Sequence, residues 1–149
     1  MSVLENNEQT IGLVVLNYND ADETLRFLDN ARELESIAAI QVVDNASSDD
    51  SPVLIEDYCS RLESSRIDYS QADSNRGYGA GNNYGVRELA NVIHCDYIII
   101  ANPDTSITDK TIRSLASFLR CNPEYAAVAP LMMKPSGEVC RSAWELPDK

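Results

Sequence analysis

The apolar run "YIIIANPDT" (97–105) ends on a carboxylate. In an open α/β sheet, ligands bind beyond the carboxyl ends of the strands. Asp104, just past such a run, is therefore placed where a metal or ligand would sit. Three other apolar runs also end on polar groups. "IGLVVL" (11–16) is followed by Asn17, Tyr18, Asn19 and Asp20. "AAIQVVD" (38–44) ends in Asp44 and continues as Asn45, Ala46, Ser47 and Ser48. "RIDYS" (66–70) leads into a loop holding Asn75, Arg76, Gly77, Gly79, Gly81 and Asn83. If the runs are parallel strands, all four polar junctions lie on one edge.

Each junction also has a plainer reading. "NYND" suits a helix cap, and Asx and Ser residues are common in turns such as "DNASSDDSP". A carboxylate ending an apolar strand, as Asp44 does, can equally accept from a ribose hydroxyl or a base imide. In "NRGYGAGNNYG" (75–85), Gly77, Gly79 and Gly81 allow close backbone approach and positive φ. The helix expected after them offers N–H groups and a positive dipole end to an anion, with Arg76 adding charge. The loop follows the third strand, so it is not the dinucleotide fingerprint, which follows the first. Asp104 could complete an octahedral Mg2+ or Mn2+ shell together with diphosphate oxygens and water, or it could be a turn acid.

The periodicity supplies the elements that must position these groups. Continuous apolar runs predict strands at 11–16, 38–44, 96–101 and 125–133, with a weaker one at 66–70. Leu25, Leu28, Ala31 and Leu34 mark a helix over 22–36. Leu54, Ile55, Tyr58 and Leu62 mark another over 51–64, with Ser51 as N-cap and Pro52 in the first turn. A third helix follows the glycine loop and ends near Val92. A fourth spans 109–120 and stops at Asn122-Pro123. "KPSGE" (134–138) reads as a turn. Strand–helix alternation implies a mostly parallel sheet flanked by helices, Rossmann-like in class.

At 149 residues the chain suits one domain with a real core. The expected organisation is a flexible leader over 1–10 and one α/β domain over 11–149. A net charge of −12, with no basic stripe, argues against a nucleic-acid partner. It also means that a diphosphate could be held only with backbone N–H groups, a nearby Arg or a divalent cation. "MSVLENNEQT" lacks the basic start and apolar stretch of a signal peptide, and no run reaches the length of a membrane span. The expected location is the cytoplasm. Cys59, Cys95, Cys121 and Cys140 form no C-x-x-C pair and read as reduced small hydrophobes. His94 and Trp144 read as structural, and no zinc site is expected.

As a set, "VVLNYND", "VVDNASSDDS", "NRGYGAGNNYG" and "YIIIANPDT" resemble the family-two glycosyltransferases of GT-A fold. They occur in that order over about residues 11–105. The tail "LMMKPSGEVCRSAWELPD" is similar to the segment that follows in the rhamnosyltransferase-like branch. The resemblance implies a nucleotide-sugar donor site. Asn17, Tyr18 and Asn19 would line the base and ribose pocket. Asp44 would accept from a uracil or thymine ring, with Asn45 and Ser47 beside the nucleoside. Asn75, Arg76, Gly77, Gly81 and Asn83 would shape the diphosphate side. Asp104 would match the metal-binding acid, with Mn2+ or Mg2+ as cofactor. Asn102 stands where a D-x-D motif has its first acid.

The implied activity is inverting transfer from a UDP- or dTDP-sugar, dTDP-rhamnose among them, to a polysaccharide or lipid-linked glycan of the cell envelope. No residue reads as the catalytic base. The expectation is therefore a donor-binding part of a longer enzyme, truncated at the C-terminus, with a non-catalytic nucleotide-sugar-binding module as the alternative. A nucleotidyltransferase would want a basic glycine-rich loop after the first strand, which "NYNDADE" is not. Peripheral association of the full-length protein with the inner face of the cell membrane, and self-association through a sheet edge near 125–149, complete the expectations.

Overall fold

A computed structural model describes residues 9–62 and 66–140. The chain divides into two compact units, with the boundary between Ile107 and Thr108.

The first unit alternates β1 (Ile11–Asn17), α1 (Ala21–Ala31), β2 (Ala39–Asp44), α2 (Ser51–Arg61), β3 (Ile67–Gln71), α3 (Tyr78–Asn91) and β4 (Tyr97–Ala101). The four strands form one wholly parallel sheet in the order β3-β2-β1-β4. The chain thus builds outward from β1 through β2 to β3, then returns to the other side of β1. That reversal makes the carboxyl ends of β1 and β4 a topological switch point, where such sheets open a crevice.

Side-chain alternation explains why β1 is apolar throughout. Val14 and Leu16 meet α3: a Cβ on Gly85 would lie 2.7 Å from Val14, and one on Gly81 would lie 2.4 Å from Leu16. Odd-numbered residues point the other way, and Asn17 there receives a hydrogen bond from Thr24 of α1. Both faces are covered, so Leu13, Val14 and Val15 retain no exposed surface. Burial of this kind contributes about 2 kcal/mol per side chain. At the edge, β4 is only half-buried. Its Ile98 joins Val14, Ala39 and Leu89 in the core, while Ile100 stays 48% exposed.

Helix ends depart from the sequence expectations. Asp20 caps α1 by accepting from Glu23 N. The helix stops at Ala31 rather than residue 36, because Glu33 and Leu34 switch to tighter turn bonds onto Asn30 and Ala31. In α2 the N-cap is Asp50, one residue before the expected Ser51. Ser51 is instead buried in the first turn beside Pro52. Residues 63 and 64 of the expected α2 lie outside the described residues, as do most of the expected leader and Trp144. Gln9 and Thr10, assigned above to that leader, are tied to the start of β4 through Tyr97 OH and the Asp96 carboxylate.

The second unit contains α4 (Asp109–Cys121), capped by the Thr108 hydroxyl accepting from Thr111 N. It ends at Asn122-Pro123, as expected. No strand forms over the described residues 125–133. Pro130 removes a ladder donor, and the segment pairs only locally. Met133 bridges Val139 in antiparallel fashion, and Lys134 N donates to Glu138 O across the expected turn. Gly137 takes φ +85° within that turn. All four cysteines are free. Among the described residues no helix is long and apolar enough to cross a membrane.

Candidate functional site

The register brings the polar junctions to one edge. Asn17 pairs with Asp44, and Asp44 pairs with Gln71. Ala101 pairs with Val15, two residues before Asn17, so the turn carrying Asp104 begins at the same edge.

The first two junctions are joined by a buried polar network. The Asp44 side chain has no exposed surface. One carboxylate oxygen accepts from Ser47 N at 2.8 Å; the other accepts from Ser47 Oγ at 2.6 Å and Asn17 Nδ2 at 2.7 Å. Asn17 Oδ1 accepts from Thr24 Oγ1 at 2.8 Å. Ser47 Oγ also receives Asn19 N, and Asn19 Oδ1 receives Ser48 N, both at 2.8 Å. An isolated carboxylate could not be buried here; three donors make it tolerable. Asn19 and Ala46 sit at φ +55° and +58°, conformations the two tight junctions impose. Tyr69 lies nearby on β3. Burial, then the charge of Asp44, pushes its phenol up to about 12.

Asp44 therefore faces inward and is already engaged. Of the groups it holds, Asn17 is itself buried at 1% exposure and Ser47 is partly exposed. Tyr18 and Asn19 are exposed beside them, with Tyr18 at 50%. Thr24 was not singled out from the sequence. Its only signal was a hydroxyl in the first turn of the helix that follows Asn17.

The third junction is tied to the second. Asn45 Nδ2 donates to Asn75 Oδ1 at 3.0 Å, and the same oxygen accepts from Gly77 N at 2.8 Å. Gly77 takes φ +89° as the N-cap of α3, and no side chain caps that end. The first backbone bond of the helix runs from Gly81 N to Gly77 O, leaving the preceding N–H groups to point outward. Gly81 serves packing rather than ligand approach: its missing Cβ lets α3 close onto Leu16. Arg76 is exposed, within 3.4 Å of Ser74 Oγ. Asn83 is exposed on α3, whereas its neighbour Asn82 is buried and donates to Tyr78 O at 3.0 Å.

The fourth junction reaches the third through Tyr78, whose hydroxyl donates to Asn102 Oδ1 at 2.8 Å. Thr105 N and Oγ1 both donate to Asn102 O, closing the turn that carries Asp104. The Asp104 carboxylate is exposed and makes no hydrogen bond or ion pair among the described residues. Among the described residues, no group of three His, Cys, Asp or Glu side chains gathers to cage a metal. One free carboxylate, on a turn tied to the start of α3 through Tyr78, suits a cation whose remaining ligands come from a diphosphate and water.

The family model described as "Glycosyl transferase family 2" matches residues 13–140. The chain belongs to glycosyl transferase family 2. A curated relative, the low-salt glycan biosynthesis hexosyltransferase Agl10 of Haloferax volcanii, is 24% identical over 127 residues. The match covers 85% of this chain and 38% of the relative. The mannosyltransferase PcManGT of Pyrobaculum calidifontis, solved with GDP-Man and Mn2+, superposes with TM-score 0.65 at 19% identity. That match covers 76% of this chain and 33% of PcManGT. S. aureus TarS 1–349 with UDP superposes at TM-score 0.57 and 18% identity, with the same coverage. This family 2 chain thus has the GT-A arrangement of a parallel sheet flanked by helices. It spans 38% of the length of the curated relative and 33% of each of these two solved chains.

Proposed function

We propose that this family 2 chain is the donor-binding part of a glycosyltransferase that takes a nucleoside diphosphate sugar. The observation that carries the reading is the linkage of four βα junctions at the switch-point edge. An uncapped helix N-terminus and an unengaged carboxylate, Asp104, belong to that same linked set.

In this reading the base and ribose lie against Tyr18, Asn19 and Ser47, with the buried Asn17 and Asn45 bracing that wall from behind. The Asp44 network fixes that wall and leaves its outer groups to meet the nucleoside. The diphosphate lies on the outward N–H groups of α3 after Gly77, with Arg76 adding positive charge in a strongly acidic chain. Asp104 would hold Mn2+ or Mg2+, which would supply Lewis acidity that offsets charge on the departing nucleoside diphosphate. An acceptor hydroxyl then attacks the anomeric carbon with inversion and gives its proton to a base. That base would come from sequence beyond this donor part.

The motif resemblance favours a UDP- or dTDP-sugar, with dTDP-rhamnose the finer candidate. The acceptor class is a polysaccharide or lipid-linked glycan at the inner face of the membrane. The acid inventory favours one alternative, a non-catalytic nucleotide-sugar-binding module. Asp44 is fully buried and engaged by three donors, and no other residue of the chain reads as a base.

Thermal stabilisation by UDP, dTDP, GDP, ATP and NAD, each with Mn2+ or EDTA, tests the reading. A ligand at 100 times its Kd adds about 2.7 kcal/mol of stability. Stabilisation by a nucleoside diphosphate that needs Mn2+ and is lost in Asp104→Ala is expected. Preference for ATP or NAD sinks the donor site. Sugar transfer by this chain alone would remove the module alternative.

A further inference from the structure

Tyr78 is the first residue of α3, and its ring is more than half exposed (57%). A tyrosine in that position would ordinarily turn freely in water. Here it is held at both ends. Its carbonyl accepts from Asn82 Nδ2, and Asn82 is 3% exposed. Its hydroxyl crosses to the end of β4 and donates to Asn102 Oδ1 at 2.8 Å. Asn102 is in turn the residue on which the Asp104 turn closes, through both Thr105 donors. The same residue therefore contributes one of the outward N–H groups at the start of α3 and holds the turn that presents Asp104.

We infer that Tyr78 is a positioning residue that couples diphosphate binding at the start of α3 to cation binding at Asp104. Two features make the coupling necessary. Asn102 Oδ1 accepts from the Tyr78 hydroxyl, so among the side chains of that turn the Asp104 carboxylate is the unengaged oxygen donor. A single carboxylate holds a divalent cation weakly, so the diphosphate must complete the shell. Each ligand then strengthens the other by the same factor. That factor depends on how well the helix start and the turn are held in register, and the Tyr78–Asn102 bond is the side-chain link between them.

The inference rests on the nucleotide-sugar reading above. Its test is calorimetric titration of the tightest-binding of UDP, dTDP and GDP, with EDTA and with saturating Mn2+. The ratio of the two Kd values is the coupling factor, expected at about tenfold or more for the unmodified protein. Tyr78→Phe and Asn102→Ala should each lower it by about fivefold while leaving the melting temperature unchanged, because both side chains are exposed. The double variant should lose no more than either single one, as expected for two halves of one bond. A factor unchanged in Tyr78→Phe, additive losses in the double variant, or a melting temperature that falls in step with the factor would each overturn the coupling. Nucleotide binding with an intact factor in Tyr78→Phe removes the coupling alone. Failure of the unmodified protein to bind any of the three nucleotides removes the donor-site reading and the coupling with it.

Discussion

Asn17 and Asp44 are register partners on adjacent strands, and their side chains meet at 2.7 Å with Asp44 fully buried. The two residues are 27 positions apart in sequence, yet each completes the other's hydrogen bonding. A strand-ending carboxylate that could have faced a ligand instead braces the side chains of the first two junctions.

Removing that bracket should be felt as stability before it is felt as binding. Asp44→Ala strands donors on Asn17 and Ser47 in a buried site and should cost about 3 kcal/mol. Asn17→Ala strands the Thr24 hydroxyl, leaves one Asp44 oxygen with Ser47 Oγ as its remaining donor, and should cost about 2 kcal/mol. The double variant should cost less than the sum, because the two share a bond. Urea denaturation midpoints with unchanged slope measure all three; full additivity would mean that the network does not act as a unit.

The glycines of the loop should separate by mechanism. Gly81→Ala places a methyl 2.4 Å from Leu16 Cδ1, which must turn aside, and should come out less stable than Gly79→Ala by about 1 kcal/mol or more. Gly79→Ala meets no atom within 4 Å, has no positive φ, and should stabilise by about 0.5 kcal/mol through helix propensity. Equal effects at the two positions, read from thermal melts, would argue against close packing at Gly81.

Alkaline pH should weaken the fold through Cys59. Burial, with the charge of Asp68 adding, pushes its thiol from 9.0 up to about 11. Below about pH 9 both folded and unfolded chains keep the proton. Between that pH and about 11 only the unfolded chain releases it, so stability falls as pH rises through the window. Tyr58 and Tyr69, pushed from 10.0 to about 12, act in the same direction at higher pH. Urea midpoints from pH 8 to 10.5 should therefore decline, and less steeply in Cys59→Ala. Iodoacetamide at pH 8 should label exposed Cys121 before buried Cys59.

Local sequence was enough to read the four strands of the sheet, its class and the family, because these depend on short-range signals. Covered strands are continuously apolar, helices repeat every three to four residues, and ligand chemistry gathers where strands end. Those signals placed Asn17, Asp44, Gly77 and Asp104 on a common edge. They could not say which way each side chain turned. Asn82 and Asn83 differ by one step around a helix, and only the packing of α3 on Leu16 and Val14 decides that Asn82 is buried and Asn83 exposed. Asp44 turns inward because the β1–β2 register brings Asn17 opposite it, a long-range fact. The apolar segment at 125–133 had the composition of a strand, but a strand also needs a neighbour to bond. With Pro130 in its path, this one closes on itself through Met133 and Val139 instead. Composition and spacing report what a segment can bury; tertiary contacts decide what it faces.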